Sequence, residues 1–330
     1  MLRALLLIAA SAPLLACSAS IRRGVSTTEA ATAMQQITYS KADERDPAVS
    51  PDAKSIAYEV ADSPGAMPHL EVTALKDVGA GKAGEARYSS KGATGMEPAW
   101  MPDGTGLVFV SNALGSPGLV QTSGTSLDAS SFLARAGDPG FSASWPALSP
   151  DGKSMAMSLP RTRLYESGWQ KTERFDSALG VSDLSGSGLT ILGEGTDPAW
   201  SPHGERLAFV RNVGGHAHLF VAKADGSGAR QITEGPDDDQ QPAWSPDGRS
   251  LVFCSAHGGQ ERGWTQSNLF VVRADGSGLE QLTEGDRVAC RPDWASDGFI
   301  YFHANATDRF HIWRLQPHPA PPPRQQAGGA

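Results

Sequence analysis

The sequence predicts an all-β protein, a six-bladed β-propeller of four-stranded antiparallel blades, and three observations lead to this fold class. A phrase of about fifteen residues recurs six times along the 330-residue chain. Glycine and proline are abundant, at 37 and 23 residues, as expected where many short strands are joined by tight turns. A phrase typical of the outer strand of a blade also occurs once ahead of the first repeat, which predicts that the two ends of the propeller meet.

The recurring phrase sets the blade length. Its six copies read DPAVSPDAKSIAYEV, EPAWMPDGTGLVFVS, WPALSPDGKSMAMSL, DPAWSPHGERLAFVR, QPAWSPDGRSLVFCS and RPDWASDGFIYFHAN. The first prolines are spaced by 51, 48, 52, 44 and 50 residues, a mean of 49, and are Pro47, Pro98, Pro146, Pro198, Pro242 and Pro292. A period of roughly 50 residues that contains several short strands is typical of one four-stranded propeller blade.

Each repeat predicts its strands in order, as the fourth repeat shows. Pro-Ala-Trp-Ser predicts a short inner strand, opened by a proline where no ladder donor is lost. A Ser-Pro-x-Gly turn, in which proline fixes φ and glycine takes a positive φ, leads to a second strand at 207–210. Residues 219–222 predict the third strand, and the glycine-rich turn at 225–228 leads to the fourth.

Tryptophan recurs at one position of the inner strand, at Trp100, Trp200, Trp244 and Trp294. We interpret these side chains as packing between neighbouring blades. A row of rings that stack on a ligand is the alternative.

Closure of the ring is predicted from the first strand-like phrase. Residues 35–38 read QQIT and resemble the fourth-strand phrases RQIT at 230–233 and EQLT at 280–283. In all three, the aliphatic residue lies ten residues before a repeat proline. Because the last repeat supplies only three strands, the segment at 35–38 is expected to be the outer strand of blade six. That pairing would remove an exposed sheet edge.

The first residues predict export and lipidation. An apolar stretch follows Arg3, as in a secretory signal peptide, and residues 14–17 (LLAC) resemble the lipobox of bacterial lipoproteins. The resemblance implies cleavage before Cys17 and lipid attachment to it, with Ser18 directing the protein to the outer membrane, facing the periplasm. An ordinary signal peptide with an incidental cysteine is the alternative.

The domain organisation expected from these features has four parts. A signal peptide covers residues 1–16 and a lipidated tether 17–33. The propeller covers 34–315, and a proline-rich tail covers 316–330 that is too polar and proline-rich for a core and is expected to be disordered. The formal net charge of −8 argues against binding to nucleic acid, which depends on cations that neutralise phosphates. The same charge gives no electrostatic reason to bind anionic lipid, so contact with the membrane is expected through the lipid anchor only.

The phrases PAWSPDG, LAFV and LFVAKADGSGARQIT resemble the WD-like β-propeller repeat of the TolB family, and the resemblance covers residues 34–315. It implies a TolB-like six-bladed propeller. In TolB proper, the propeller follows an N-terminal α/β domain and works in the Tol–Pal complex of the cell envelope. Here about thirty residues precede the propeller, so that domain is expected to be missing and the Pal-binding role does not transfer.

Two insertions between second and third strands are the candidate partner-binding segments, one at 160–176 in blade three and one at 256–266 in blade five. Long loops on a rigid scaffold commonly carry recognition, and arginine, tyrosine and tryptophan are frequent in binding hot spots. We expect the insertions at the face that holds the channel mouth, beside the acidic run at 237–239. The candidate residues are Arg163, Tyr165, Trp169, Arg174, Arg262 and Trp264. Solvated loops without a binding role are the alternative.

Three carboxylates precede repeat prolines and are expected around the channel mouth: Asp46, Glu97 and Asp197. Convergent carboxylates can hold a hard cation such as Ca²⁺, although they can equally cap turns or face water. No other cofactor is expected. Cys254 and Cys290 are expected at one face on neighbouring blades, either as a disulfide in an oxidising compartment or as two buried thiols.

The sequence as a whole favours a binding module over an enzyme. It contains neither a G-x-S-x-G nucleophile elbow nor an H-E-x-x-H metal motif. We therefore expect a scaffold that binds an envelope protein or another envelope component such as a glycan. Two alternatives stay open: a polysaccharide lyase or hydrolase with its site in the channel mouth, and a sensor of a small ligand or metal.

Overall fold

The computed structural model describes residues 34–77, 88–90, 92–113, 118–122, 129–132, 143–160, 163–165, 172–174, 177–256 and 266–317. Within these ranges twenty-six strands follow one another, with one short 3₁₀ turn at Leu75–Asp77. They form six four-stranded antiparallel sheets and one separate two-stranded hairpin. The all-β, six-bladed propeller predicted from the repeat is confirmed.

The first three blades use consecutive repeats. Blade one contains β2 (Asp43–Val49), β3 (Ser55–Ala61), β4 (His69–Ala74) and β5 (Tyr88–Ser89). Blade two contains β6 (Met96–Trp100), β7 (Leu107–Ser111), β8 (Gly118–Thr122) and β9 (Ala129–Phe132). Blade three contains β10 (Ser144–Leu148), β11 (Ser154–Pro160), β14 (Ser177–Asp183) and β15 (Thr190–Glu194). Between its second and third strands lies the separate hairpin of β12 (Arg163–Tyr165) and β13 (Thr172–Arg174).

The last three blades complete the ring. Blade four contains β16 (Thr196–Trp200), β17 (Arg206–Val213), β18 (His216–Lys223) and β19 (Arg230–Gln231). Blade five contains β20 (Asp238–Trp244), β21 (Ser250–Ala256), β22 (Ser267–Arg273) and β23 (Glu280–Gln281). Blade six contains β24 (Ala289–Trp294), β25 (Ile300–Ala304) and β26 (His311–Leu315), with β1 (Gln35–Gln36) as its outer strand.

The predicted closure of the ring is confirmed. Strand β1 pairs antiparallel with β26, Gln35 opposite Arg314 and Gln36 opposite Trp313. The Ile37 N–H continues the ladder with a 2.7 Å hydrogen bond to the carbonyl of Ile312, and the Ile37 side chain is fully buried. The outer edge of β26 is therefore covered, and the first and last strands of the propeller are hydrogen-bonded to each other.

The core lies between neighbouring blades rather than inside any one of them. The second strands β7, β21 and β25 are buried at every position, because each is covered by a blade on both sides. Blades four and five share one apolar cluster that includes Leu219, Trp244 and Phe253. Each fully buried side chain of this size contributes about 1.5–3 kcal/mol, so the stacking of blades stabilises the disc.

The propeller has two faces, which we name by their connections. The turn face carries the turns between the first and second strands, such as those at Pro150 and Pro246. The loop face carries the connections between second and third strands, such as the turn after Val213, and the links from one blade to the next. Since each strand crosses the disc, the inner strands run from the loop face to the turn face.

Candidate functional site

Each inner strand contains a bulge at the residue before its repeat proline. The pairing register with the second strand shifts there in all six blades. The residue at this position has a positive φ, between 48° and 59°, although none is glycine. Such a conformation costs about 1–3 kcal/mol at a non-glycine residue. Its sixfold recurrence gives the disc an axial ring, which consists of Asp46, Glu97, Trp145, Asp197, Gln241 and Arg291.

Side chains from the preceding blade bind the backbone of the ring. In three cases the acceptor is a ring residue: Glu97 accepts from the Trp145 N–H, Asp197 from the Gln241 N–H, and Gln241 from the Arg291 N–H. In the other three cases the acceptor side chain lies on the second strand of the preceding blade. The N–H groups of Asp46, Glu97 and Asp197 donate to His303 Nδ1 at 3.2 Å, Glu59 Oε1 at 2.8 Å and Ser158 Oγ at 3.0 Å, respectively. Six blades are thereby joined at the axis by satisfied backbone donors.

Arg291 closes the centre of the ring. Its guanidinium carbon lies 3.1 Å from the ring centroid of Trp145, which belongs to blade three. Its Nε lies 3.7 Å from Asp46 Oδ1 and its Nη1 3.8 Å from Asp197 Oδ1. One side chain from blade six thus contacts blades one, three and four, and it is only 18% exposed. Arg291 therefore constricts the axial channel.

Burial and the single guanidinium give the ring carboxyls different acidities. Burial opposes ionisation of Asp46, but Arg291 and the hydrogen bond with His303 outweigh it and lower its pKa to about 2. Burial raises the pKa of Glu97 to about 7, although its backbone hydrogen bond from Trp145 and Arg291 act in the opposite direction. Burial also raises the pKa of Asp197, and raises that of Glu59, beside Asp46, well above its usual range.

The imidazole of His303, beside Asp46, also has a shifted pKa. Burial lowers the pKa of His303, and the hydrogen bond that its protonated ring would donate to the Asp46 carboxylate acts in the opposite direction. Near neutral pH the Asp46 carboxylate therefore pairs with Arg291, and the Glu97 carboxyl is poised between its two protonation states.

An axial cavity of about 670 Å³ lies above this ring. Its lining begins at the six ring residues and continues along the inner strands to the turns, where it ends at a rim of Pro51, Pro102, Pro150, Pro202, Pro246 and Ser296. The cavity therefore extends from the ring to the turn face, with Arg291 and the carboxyls at its floor.

This geometry corrects the sequence-based placement of the channel mouth. The sequence predicts Asp46, Glu97 and Asp197 around a channel mouth that shares a face with the two insertions. The structure has these carboxyls at the floor of the cavity, and the cavity extends to the turn face, whereas second-to-third-strand insertions leave from the loop face. The reason is the bulge: it lies at the second to fourth residue of each inner strand, so the residues after it line the cavity.

The recurring tryptophans pack between blades, as predicted. The indole N–H of Trp100 donates to the carbonyl of Ala48 at 2.9 Å, and Trp200 and Trp244 bind the carbonyls of Ala147 and Ala199 in the same way. Each bond joins an inner strand to that of the preceding blade. Part of each of these rings also lines the cavity, together with Trp294.

Sequence reasoning missed several members of the site. Trp145, Gln241 and Arg291 occupy the same repeat position as the three carboxylates, so the aligned repeats identify the position, but only the acidic side chains there predict a role. Glu59 and His303 also share one position, on the second strand, opposite Arg45 and Cys290. No sequence motif identifies that position, because the residue type there differs between blades.

The insertion candidates are described only in part. Arg163 and Tyr165 lie on β12 and Arg174 lies on β13, where Arg163 pairs with Arg174. Trp169, Arg262 and Trp264, like the lipidation candidate Cys17, lie outside the described residues.

The acidic run at 237–239 is not simply a solvated turn. Asp238 and Asp239 begin strand β20 and are buried, at 2% and 7% exposure. Asp238 Oδ1 accepts the Ala217 N–H at 2.9 Å, and Asp239 Oδ2 lies 3.7 Å from His218 Nδ1. These aspartates join blade five to the third strand of blade four.

Cys254 and Cys290 form a disulfide in the structure, with their sulfur atoms 1.94 Å apart. The bond links the second strand of blade five to the inner strand of blade six. The matching position between blades three and four holds a hydrogen bond between the hydroxyls of Ser158 and Thr196, at 3.0 Å. A covalent bond thus replaces a polar contact at an equivalent junction.

Metal ligation finds no support among the residues that the structure describes, where no three His, Cys, Asp or Glu side chains are arranged to hold an ion. The three carboxylates considered for Ca²⁺ are engaged instead with Arg291 or with backbone N–H groups. Within the same described ranges, no helix is long and apolar enough to cross a membrane.

Comparison with known families agrees with the topology. Residues 172–319 match the model of the TolB beta propeller domain. Over these residues the chain resembles TolB-type propellers. No curated protein matches the sequence significantly.

Several solved structures share the propeller fold. A TolB-type protein from Agrobacterium tumefaciens is 18% identical, with a TM-score of 0.59 over 86% of this chain and 97% of that one. An oligogalacturonate lyase in complex with manganese is 11% identical, with a TM-score of 0.52 over 89% and 96% of the two chains. The structure of a nidogen/laminin complex contains a chain 11% identical, with a TM-score of 0.52 over 87% and 94%. At these identities the likeness concerns the fold alone.

Proposed function

We propose that this protein is a cell-envelope lipoprotein whose propeller binds a partner protein, or another envelope component, through the axial cavity on its turn face. The observation that carries the proposal is the cavity itself, about 670 Å³, lined by tryptophan and proline and floored by a charged ring. Concave sites with mainly apolar walls and a few convergent polar groups are the usual form of binding sites.

The cavity is preformed, which favours binding. Its walls are inner strands fixed by hydrogen bonds from blade to blade, including those of Trp100, Trp200 and Trp244. A rigid wall loses little conformational freedom when a ligand binds, so more of the contact energy remains as affinity. Tryptophan is also among the residues that contribute most at protein interfaces.

The envelope location is supported by residues 1–20 and by the disulfide. The segment LLAC at 14–17 resembles a lipobox, and the Cys254–Cys290 bond suits an oxidising compartment. The TolB family, whose propeller this chain shares, works in the cell envelope.

Lipidation has a direct test. Replacing Cys17 by Ala should move the protein from the detergent phase to the aqueous phase in a phase-separation assay, because the lipid attachment site is lost. Mass spectrometry of the wild-type N-terminus should show lipid on Cys17. Equal partitioning of both proteins would contradict the lipoprotein assignment.

Partner binding is tested by comparing the two faces. We expect Pro150→Arg with Pro246→Arg, on exposed turns at the cavity rim, to reduce capture of partners from envelope extracts at least tenfold. The matched control is Val213→Arg, an exposed position on the loop face, which should leave capture unchanged. Trp169→Ala with Trp264→Ala tests the insertions. Loss with these two and none with the rim variants would place the partner on the loop face and contradict the cavity proposal.

A second candidate is catalysis at the cavity floor, favoured by one observation. Glu97 lines the cavity with a pKa of about 7, which suits a general acid or base at neutral pH. A polysaccharide lyase or hydrolase would then lose activity with Glu97→Gln while its folding stays intact. Absence of turnover with envelope polysaccharides in the wild type would leave binding as the function.

A further inference from the structure

The cavity has a candidate occupant within the same chain. We propose that the C-terminal segment 318–330 binds in the axial cavity of its own propeller, entering from the turn face. This inference rests on the proposed function, since it names a peptide class that the same cavity takes. Residues 318–330 themselves lie outside the described part of the chain.

The first argument is the place where the described chain ends. Strand β26 is the third strand of blade six, so it runs from the loop face to the turn face, and it ends at Leu315. The chain is described up to Pro317. The segment therefore leaves on the face to which the cavity extends.

The distance is short enough to span. The third strand lies two strand spacings from the inner strand, about 10 Å. The seven residues from Pro317 to Arg324 cover about 22 Å in a polyproline conformation. Arg324 can therefore pass the rim and reach toward the floor.

The rim is also different next to this strand. Five blades place a proline at the rim, at Pro51, Pro102, Pro150, Pro202 and Pro246. Blade six has Ser296 instead, an exposed residue whose hydroxyl donates to the carbonyl of Pro51 at 2.9 Å. The smaller residue lowers the wall of the cavity on the blade from which the segment leaves.

The chemistry of the segment matches the cavity. It reads HPAPPPRQQAGGA, with four prolines, no acidic residue and one arginine, Arg324. Proline-rich segments lose little entropy on binding and dock into grooves lined by aromatic rings. The cavity offers tryptophan and proline walls, and three carboxyls, of Asp46, Glu97 and Asp197, against one guanidinium at its floor. Arg324 would pair with Glu97, which lines the cavity between blades one and three.

The test uses the full chain with a photoreactive benzoylphenylalanine in place of Pro322. Irradiation at low protein concentration should link this residue, within one chain, to cavity residues such as Ala99, Ala147 or Ala243. Arg324→Glu should lower the crosslink yield at least fivefold, while Arg324→Lys should retain most of it. Crosslinks to the loop face, crosslinks between two chains, or a yield indifferent to Arg324→Glu would each overturn the proposal.

A binding measurement gives an independent readout. A synthetic peptide of residues 318–330 should bind the full-length Arg324→Glu protein at least tenfold more tightly than the wild type, because the tethered wild-type segment competes at a high effective concentration. Equal affinities would overturn the proposal. If the peptide binds both proteins equally but Pro150→Arg with Pro246→Arg still abolishes partner capture, only the proposal on residues 318–330 fails. If these rim variants leave partner capture unchanged, the proposed function itself fails.

Discussion

At the scale of single residues, Arg291 is the residue on which the axial site depends. It faces Asp46, Asp197 and the ring of Trp145 at once, in a place where side chains are mostly buried. Removing one partner of a buried pair leaves a charge without compensation, which costs more than the pair itself contributes. The ring should therefore be sensitive to the loss of this one cation.

We expect Arg291→Gln to lower the free energy of unfolding by about 2–4 kcal/mol, because the Asp46 carboxylate loses its guanidinium. Urea denaturation monitored by tryptophan fluorescence measures the change. The matched control is Arg249→Gln, which removes an exposed contact of 3.9 Å with Asp247 and should cost less than about 0.5 kcal/mol. Equal effects of the two substitutions would contradict the central role of Arg291.

The raised pKa of Glu97 predicts that its contribution to the free energy of unfolding falls as pH rises, opposite to a carboxylate whose pKa is lowered on folding. Its pKa is raised from 4.5 to about 7 in the folded protein, so the folded state holds a proton that the unfolded state has released between these values. Stability from this group is therefore full below pH 4.5, declines as pH rises to about 7 and is constant above.

Glu97→Gln should remove that decline, which amounts to at most about 3 kcal/mol. The glutamine oxygen can still accept the Trp145 N–H, so the bulge keeps its hydrogen bond. Urea unfolding between pH 5 and pH 8 compares the two proteins. Parallel stability curves for variant and wild type would show that Glu97 titrates normally.

At the scale of elements, the inner-strand bulge and the closing strand determine the site. The strands, turns and ring closure could be predicted, because they follow from local rules: short apolar runs, Ser-Pro-x-Gly turns and a QQIT phrase that resembles RQIT and EQLT. The bulge could not, because the positive φ at Asp46 or Arg291 arises from contacts with the preceding blade rather than from residue preference. Its omission is why the carboxylates were expected at a rim.

The same limit explains the unpredicted members of the site. Glu59 and His303 come close to the ring only because second strands of one blade lie beside the inner strand of the next. Contacts of this kind join residues far apart in the chain, such as Asp46 and His303, and no spacing rule reveals them. The alignment of the repeats identifies equivalent positions in the blades, but it does not predict the role of the side chain at each position.

Strand β1 is short, yet the ring depends on it. A chain that begins at residue 39 should lose the pairing with β26 and the buried Ile37, exposing an edge strand that favours association. Size-exclusion chromatography with light scattering should show oligomers or aggregates, whereas a chain that begins at residue 34 should stay monodisperse. Identical behaviour of both chains would mean that closure by β1 is dispensable.

At the scale of the whole molecule, the disc separates two surfaces. The turn face receives the axial cavity, while the loop face carries the blade-three hairpin and the links between blades. With a lipid on Cys17, the residues ahead of β1 would tether the disc to the membrane by blade six, where β1 pairs. The cavity would then be presented by a rigid disc on a lipid anchor.

The most direct test of the central claim is site-specific photo-crosslinking of the partner in intact cells. A photoreactive residue at Ser296, on the cavity rim, should crosslink to a partner, and one at Val213, on the loop face, should not. The account predicts an adduct at position 296 that disappears with Pro150→Arg and Pro246→Arg. An adduct at position 213 alone would contradict it.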